Sequence, residues 1–209
     1  MKFFRQFILL ITAGLLVYCS AYKPKKSLDD LKTAFNTEST AAEKYAKYAR
    51  KAEAEGFDTI AQLFEAASKS ENIHAFNHAK VLKKLGESIN AVLSDFDVKN
   101  TEANLKSAIL GETYEMQTMY PAFIRNAERE KIPEAAKSFT WAWDGGKKHL
   151  KYYGKALSAV SNGKQSNLSF TWYVCPVCGN IYNAEDVKQS CDLCLSKQES
   201  FIGYPEKTE

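Results

Sequence analysis

Four cysteines and six acidic or imidazole side chains carry the chemistry this sequence can do. Cys175-Pro176-Val177-Cys178 and Cys191-Asp192-Leu193-Cys194 are two Cys-x-x-Cys pairs with twelve residues between them, and Gly179 follows the first pair. Paired short loops of this kind form tetrathiolate metal sites, for which both iron and zinc are suited; the cysteines alone do not choose between them. Two disulfides are the competing reading outside a reducing compartment, and the paired spacing favours metal over them. The second set is dispersed: Glu38, Glu71, His74, Glu112, Glu115 and His149 all fall on helical stripes otherwise made of apolar residues. Carboxylates and imidazoles are costly to bury alone. Brought together in one interior, they become ligands for a metal.

Four helices must position that second set. The first has Ser27 as its expected N-cap, with Asp30 three residues on, and a stripe of Leu31, Phe35, Glu38, Ala42, Tyr45, Ala49 and Ala52. Gly56 closes it and Asp58 is the expected cap of the next. Helix two runs from about Thr59 to Leu85, with Ile60, Phe64, Ala67, Glu71, His74, His78 and Val81 on one face. Glu71 and His74 are three apart and share that face. His78 reads as a core histidine bonded to a neighbouring tyrosine rather than as a ligand. Residues 87–100 lack a period and are long enough to cross over between helices that are not antiparallel neighbours. Thr101 is the expected cap of helix three, which carries Leu105, Ile109, Glu112, Met116, Met119 and Phe123; Pro121 should kink it. Pro133 opens helix four, with Ala135, Phe139, Ala142, Gly146, His149, Tyr153 and Leu157 inward.

The expected class is therefore mainly α: a four-helix bundle over residues 28–160, a Ser/Asn/Gly-rich linker over 161–171, and a small metal knuckle with short strands over 172–209. Bundles of ferritin type place one Glu on each of two helices and a Glu-x-x-His on each of the other two. Here the second Glu-x-x-His is broken, because Gly146 stands where its Glu belongs. The 209 residues are 45% hydrophobic and 25% charged, ordinary globular values, and a net charge of +3 without basic runs gives no sign of nucleic acid. Lys2 and Arg5 precede an uncharged run from Phe7 to Tyr18, which fits a secretory leader. Leu16-Val17-Tyr18-Cys19-Ser20 then resembles a lipobox. That predicts lipidation at Cys19, a tether over 20–27, and an exported, membrane-anchored lipoprotein on the periplasmic or cell-surface side; an uncleaved anchor or a cut near Ala21 are the alternatives.

These motifs together resemble the rubrerythrins. The resemblance rests on Phe35-Asn36-Thr37-Glu38-Ser39, Glu71-Asn72-Ile73-His74, Gly111-Glu112-Thr113-Tyr114-Glu115, Met119-Tyr120-Pro121-Ala122-Phe123, and Trp172 ahead of the four cysteines. It implies a ferritin-like di-iron domain followed by a rubredoxin-like domain with one iron on four cysteines. It further implies reduction of hydrogen peroxide to water, with electrons supplied by a redox donor protein through the thiolate-bound iron, and homodimers. By the same resemblance Glu38 and Glu112 are terminal carboxylates, Glu71 a bridge, and His149 a ligand of one iron. His74 and Glu115 exchange at the other, Tyr45 and Tyr120 lie beside the site, and Cys175, Cys178, Cys191 and Cys194 hold the single iron.

Gly146 departs from that pattern. Gly145-Gly146 inside a helix costs about 1 kcal/mol per glycine relative to Ala, a cost compatible with a decayed site and with a reshaped one. Two ways of filling the gap are open: a π-bulge at the glycines that turns Asp144 onto the face of His149, and a water or anion in place of the missing carboxylate. If neither fills it, the chain is an electron-transfer or metal-binding protein with an incomplete bundle site.

Overall fold

A computed structural model describes residues 24–164, 168 and 171–204. Cys19 and the leader lie outside the described residues. The helices are α1 (Lys25–Ala54), α2 (Asp58–Lys84), α3 (Thr101–Tyr114), α4 (Tyr120–Arg129) and α5 (Pro133–Ser161). Between α3 and α4 the chain makes a π-helical turn, Glu115–Met119, so the two form one interrupted rod and the bundle has four. The interruption expected at Pro121 therefore comes one turn earlier. Pro121 itself sits in the first turn of α4, where its missing N–H does no harm.

Gly56 and Gly86 end α1 and α2 with φ of +78° and +83°, the left-handed conformation that glycine adopts without strain. The expected helix starts are corrected. Ser27, Asp58 and Thr101 each lie inside the first turn rather than at the cap. Other residues do the capping. The Glu130 carboxylate accepts from the backbone N–H of Lys26 (3.1 Å) and Ser27 (2.8 Å) at the start of α1. At α3, Asn100 Oδ1 accepts from Ala103 N–H, and Glu55 accepts from both the N–H and the hydroxyl of Thr101. At α1 a tertiary partner takes the place of the local cap that sequence spacing suggested, whereas α3 keeps a local cap one residue before the expected one.

α1 packs along α2, α5 along α2, and the α3–α4 rod along α5, whereas α2 and α3 do not pack together. Residues 87–100 make the crossover this requires. They run in irregular conformation over the outside of α1, held by Val92 N–H to Asn36 Oδ1 and Ser94 N–H to Thr40 Oγ1. The interior has two apolar halves. One centres on Tyr45, Tyr48, Phe64 and Tyr153, the other on Leu31, Leu82, Tyr120 and Phe139. Along every rod the candidate ligands fall between these halves.

After α5 come β1 (Trp172–Val174), β2 (Ile181–Asn183) and β3 (Ile202–Tyr204), an antiparallel sheet with β1 in the middle. The sheet carries the cysteine knuckle, and both pack on the chain's own bundle. Asn77 Nδ2 donates to Val177 O (2.8 Å), Ser70 Oγ donates to Gly179 O (2.5 Å), and Trp172 meets Tyr152 edge-on.

Candidate metal centre

Glu71 is the hub of the bundle interior. Its Oε2 lies 2.8 Å from His74 Nδ1 and its Oε1 3.1 Å from His149 Nδ1. His149 Nδ1 is also 3.0 Å from Glu112 Oε1, and His74 Nδ1 is 3.9 Å from Glu38 Oε1. Two donor sets result, Glu38–Glu71–His74 and Glu71–Glu112–His149, each with its ligand atoms within 4.8 Å of one another. They share Glu71. All five side chains are at most 2% exposed. Glu115 is buried at the start of the π-turn but belongs to neither set.

The residues fit a pair of metal ions. Four buried carboxylates face two imidazoles, and Glu38 Oε2 has no hydrogen-bond partner. Burial, reinforced by the neighbouring carboxylates, pushes Glu38 and Glu115 well above the usual carboxylate range. Burial also pushes Glu112 up to about 7, against the pull of His149. For Glu71 burial acts in the same sense, but His149 and His74 outweigh it and hold the carboxyl well below its ordinary value. His149 is the converse: burial disfavours its charge, and Glu112 and Glu71 more than reverse this. Such a cluster holds protons that a cation would displace.

Two tyrosines, one from each apolar half, brace the carboxylates. Tyr45 Oη donates to Glu112 Oε1 at 2.9 Å, and Tyr120 Oη donates to Glu38 Oε1. His78 is no ligand. Its Nε2 lies 3.3 Å from Tyr120 Oη, and Ser138 Oγ lies 2.7 Å from its Nδ1. Burial, helped by His74, pushes His78 down to about 3, so it is neutral. The chain Ser138–His78–Tyr120–Glu38 thus points every proton toward the ligand carboxylate.

The gap at Gly146 is not closed by a π-bulge in the helix that carries it. α5 runs unbroken from Pro133 to Ser161, and Asp144 is paired with Lys147 Nζ at 2.6 Å, away from His149. The π-turn lies on the facing rod instead, and Trp143 Nε1 donates to its Met116 carbonyl at 2.9 Å. The Met116 side chain fills the space over Gly146: an ideal Cβ there would lie 2.5 Å from Met116 Cε and 2.8 Å from Glu112 Oε2. Gly145 makes room in the same way for the His74 ring, 2.8 Å from its ideal Cβ.

In the knuckle the four cysteines are free thiols with Sγ–Sγ distances of 3.4 Å for Cys175–Cys194 and Cys178–Cys191. A tetrahedron with ~2.3 Å metal–sulfur bonds has edges of about 3.8 Å, so the quartet is close to ligating geometry. Hydrogen bonds from Cys175 and Cys178 hold Cys191 far below the usual thiol range, while hydrogen bonding with Cys175 pushes Cys178 far above it. Sequence reasoning missed Ser70, Met116 and Gly179. Met116 was on the inward stripe and Ser70 adjoins Glu71, but neither type announces a role.

The family model described as Rubrerythrin matches residues 29–157. Rubrerythrin-2 of Clostridium acetobutylicum is 34% identical over 183 residues, 87% of this chain and 98% of that protein. Nigerythrin of Nitratidesulfovibrio vulgaris is 31% identical over 179 residues, 85% of this chain and 86% of that protein. A solved structure of nigerythrin in its fully reduced, all-ferrous state superposes with a TM-score of 0.78 at 30% identity, covering 98% of this chain and all of that one.

Proposed function

The chain belongs to the rubrerythrin family, and on that membership and the site's geometry we propose that it reduces hydrogen peroxide to water. One observation carries the reading: two buried donor sets joined through Glu71. Each peroxide takes two electrons and two protons and yields two waters, and an iron pair held by these residues would supply the electrons. Glu38 and Glu112 would be the outer carboxylates, Glu71 the shared one, and His149 and His74 the imidazole ligands. Glu115, at the mouth of the π-turn, would exchange with His74. Tyr45 and Tyr120 hold the carboxylates in place. The Ser138–His78–Tyr120 chain ends on Glu38 and is suited to carry protons inward.

Electrons would enter from a redox donor protein through iron on Cys175, Cys178, Cys191 and Cys194; zinc there would break the route. Homodimers are part of the proposal, and Val92, Leu93, Leu110 and Tyr114 are large apolar side chains left exposed for such a contact. Lipidation at Cys19 would place the protein on the outer side of a membrane, and the mass of the mature chain, with or without diacylglycerol, tests this.

A second reading draws on Met116 over Gly146. There the thiolate iron alone transfers electrons, and the bundle, short of one carboxylate, holds a single metal or none. Metal-loaded, pre-reduced protein given one equivalent of peroxide separates the two. Prompt reoxidation with about three irons per chain supports the reductase. No reoxidation, with about one or two irons per chain, rejects it in favour of the second reading.

A further inference from the structure

One bundle side chain, Ser70, touches both the cysteine knuckle and a candidate ligand. Ser70 Oγ lies 2.5 Å from the carbonyl oxygen of Gly179 and 3.0 Å from His149 Nε2, and Ser70 is fully buried. A carbonyl only accepts, so the Ser70 hydroxyl proton is committed to Gly179. Its oxygen then presents lone pairs to His149, and Nε2 must carry the hydrogen. That leaves Nδ1, 3.0 Å from Glu112 and 3.1 Å from Glu71, as the nitrogen offered to a metal. The proton on one ring nitrogen is set by what the other end of the ring meets. Between the two carboxylates Nδ1 also carries a proton until a metal displaces it. With the knuckle withdrawn, the Ser70 hydroxyl would be released to donate to Nε2, and the neutral ring would then keep its hydrogen on Nδ1, where the metal should bind.

We propose that Ser70 is a positioning residue through which seating of the knuckle selects the metal-ready form of His149, so that knuckle docking and metal capture in the bundle form one linked equilibrium. The linkage is reciprocal: whatever factor docking adds to metal affinity, metal adds to docking. Gly179 is built for close seating. Its φ is +82°, and an ideal Cβ would lie 2.6 Å from the His74 ring and 3.0 Å from the Ser70 carbonyl oxygen. A side chain there would have to displace the His74 ring or lift the knuckle off the bundle.

The test uses the full chain with zinc already in the knuckle and cobalt(II) titrated into the bundle, so it is independent of whether peroxide is the substrate. Ser70→Ala removes the joint. Gly179→Ala loosens the knuckle without replacing a bundle residue. Because its Cβ would also meet the His74 ring, a fall in cobalt affinity counts only together with faster amide exchange in the knuckle, and on those two readings it reports the same equilibrium should Ser70→Ala fail to fold. Both should lower cobalt affinity about tenfold. In the zinc-loaded protein the His149 Nε2–H should be a slowly exchanging proton by NMR, lost to solvent exchange in both variants. Cobalt binding should also slow hydrogen exchange in the knuckle of the parent protein but not of Ser70→Ala. Unchanged cobalt affinity in Gly179→Ala, or a His149 Nε2–H that stays protected without the Ser70 hydroxyl, would overturn the proposal.

Discussion

The terminal methyl of Met116 lies 2.5 Å from where a Cβ on Gly146 would stand, so the thioether occupies the volume that a carboxylate stem at 146 would need. Gly146→Glu should therefore tighten metal binding only as far as Met116 can retract. Met116→Ala combined with Gly146→Glu should bind more tightly than either single variant. The coupling in a double-mutant cycle should be about 1 kcal/mol or more, since the two side chains compete for one space. Metal titration of the four proteins measures it, and additive effects would mean that Met116 does not guard the position.

Metal uptake should expel protons. Glu112 is pushed up to about 7 by burial, and Glu38 and Glu115 are raised for the same reason. A carboxyl raised in the folded state favours folding below its unfolded value and loses that contribution as pH climbs through the folded one. In the metal-free protein the favourable side is thus below about 4.5, and the loss runs to about 7. Bundle affinity for zinc should rise with pH across that window, with protons released into weak buffer near pH 6. A pH-independent affinity would contradict the buried, protonated cluster.

His78 makes the opposite contribution. Its folded pKa is pushed down to about 3, while the unfolded residue titrates near 6.5. Between those values only the unfolded chain takes up the proton, so stability falls as pH drops, by about 1.4 kcal/mol per pH unit for this one group. His78→Gln should flatten the urea midpoint of the metal-free protein over that range. An unaltered acid slope would assign the loss to another residue.

Chelation should dismantle the knuckle and spare the bundle. The knuckle's buried cluster consists of Cys175, Cys178, Cys191 and Tyr182, with partly buried neighbours such as Phe201. Without metal its core is largely the ligands themselves. Far-UV circular dichroism should keep its helical signal after chelation, while amide protection over 172–204 collapses. Loss of helix in step with the knuckle would show that the bundle depends on it.

Much of the site was legible because ligands interrupt apolar stripes at fixed helical spacing. Glu38, Glu71, His74, Glu112 and His149 needed only that rule to be brought together. The cysteine pairs were legible from spacing, and the crossover from the missing period at 87–100. What escaped depends on contacts between distant segments. The π-turn at Glu115–Met119 leaves no mark in the sequence, and the proline nearby drew attention to the wrong turn. Met116 reads as packing until Gly146 is seen opposite. Glu130 and Glu55 cap helices far from them in sequence. Ser70 is an ordinary small residue until the knuckle lands on it.

The polar layer between the two apolar halves has a consequence for how the chain tolerates change. Tyr45, Tyr48, Phe64 and Tyr153 share no buried cluster with Leu31, Leu82, Tyr120 and Phe139. Drift in either half is not transmitted to the other through hydrophobic packing, so the two can diverge at different rates. What couples the halves is then the Glu71-centred polar layer and the continuous helices that pass through it.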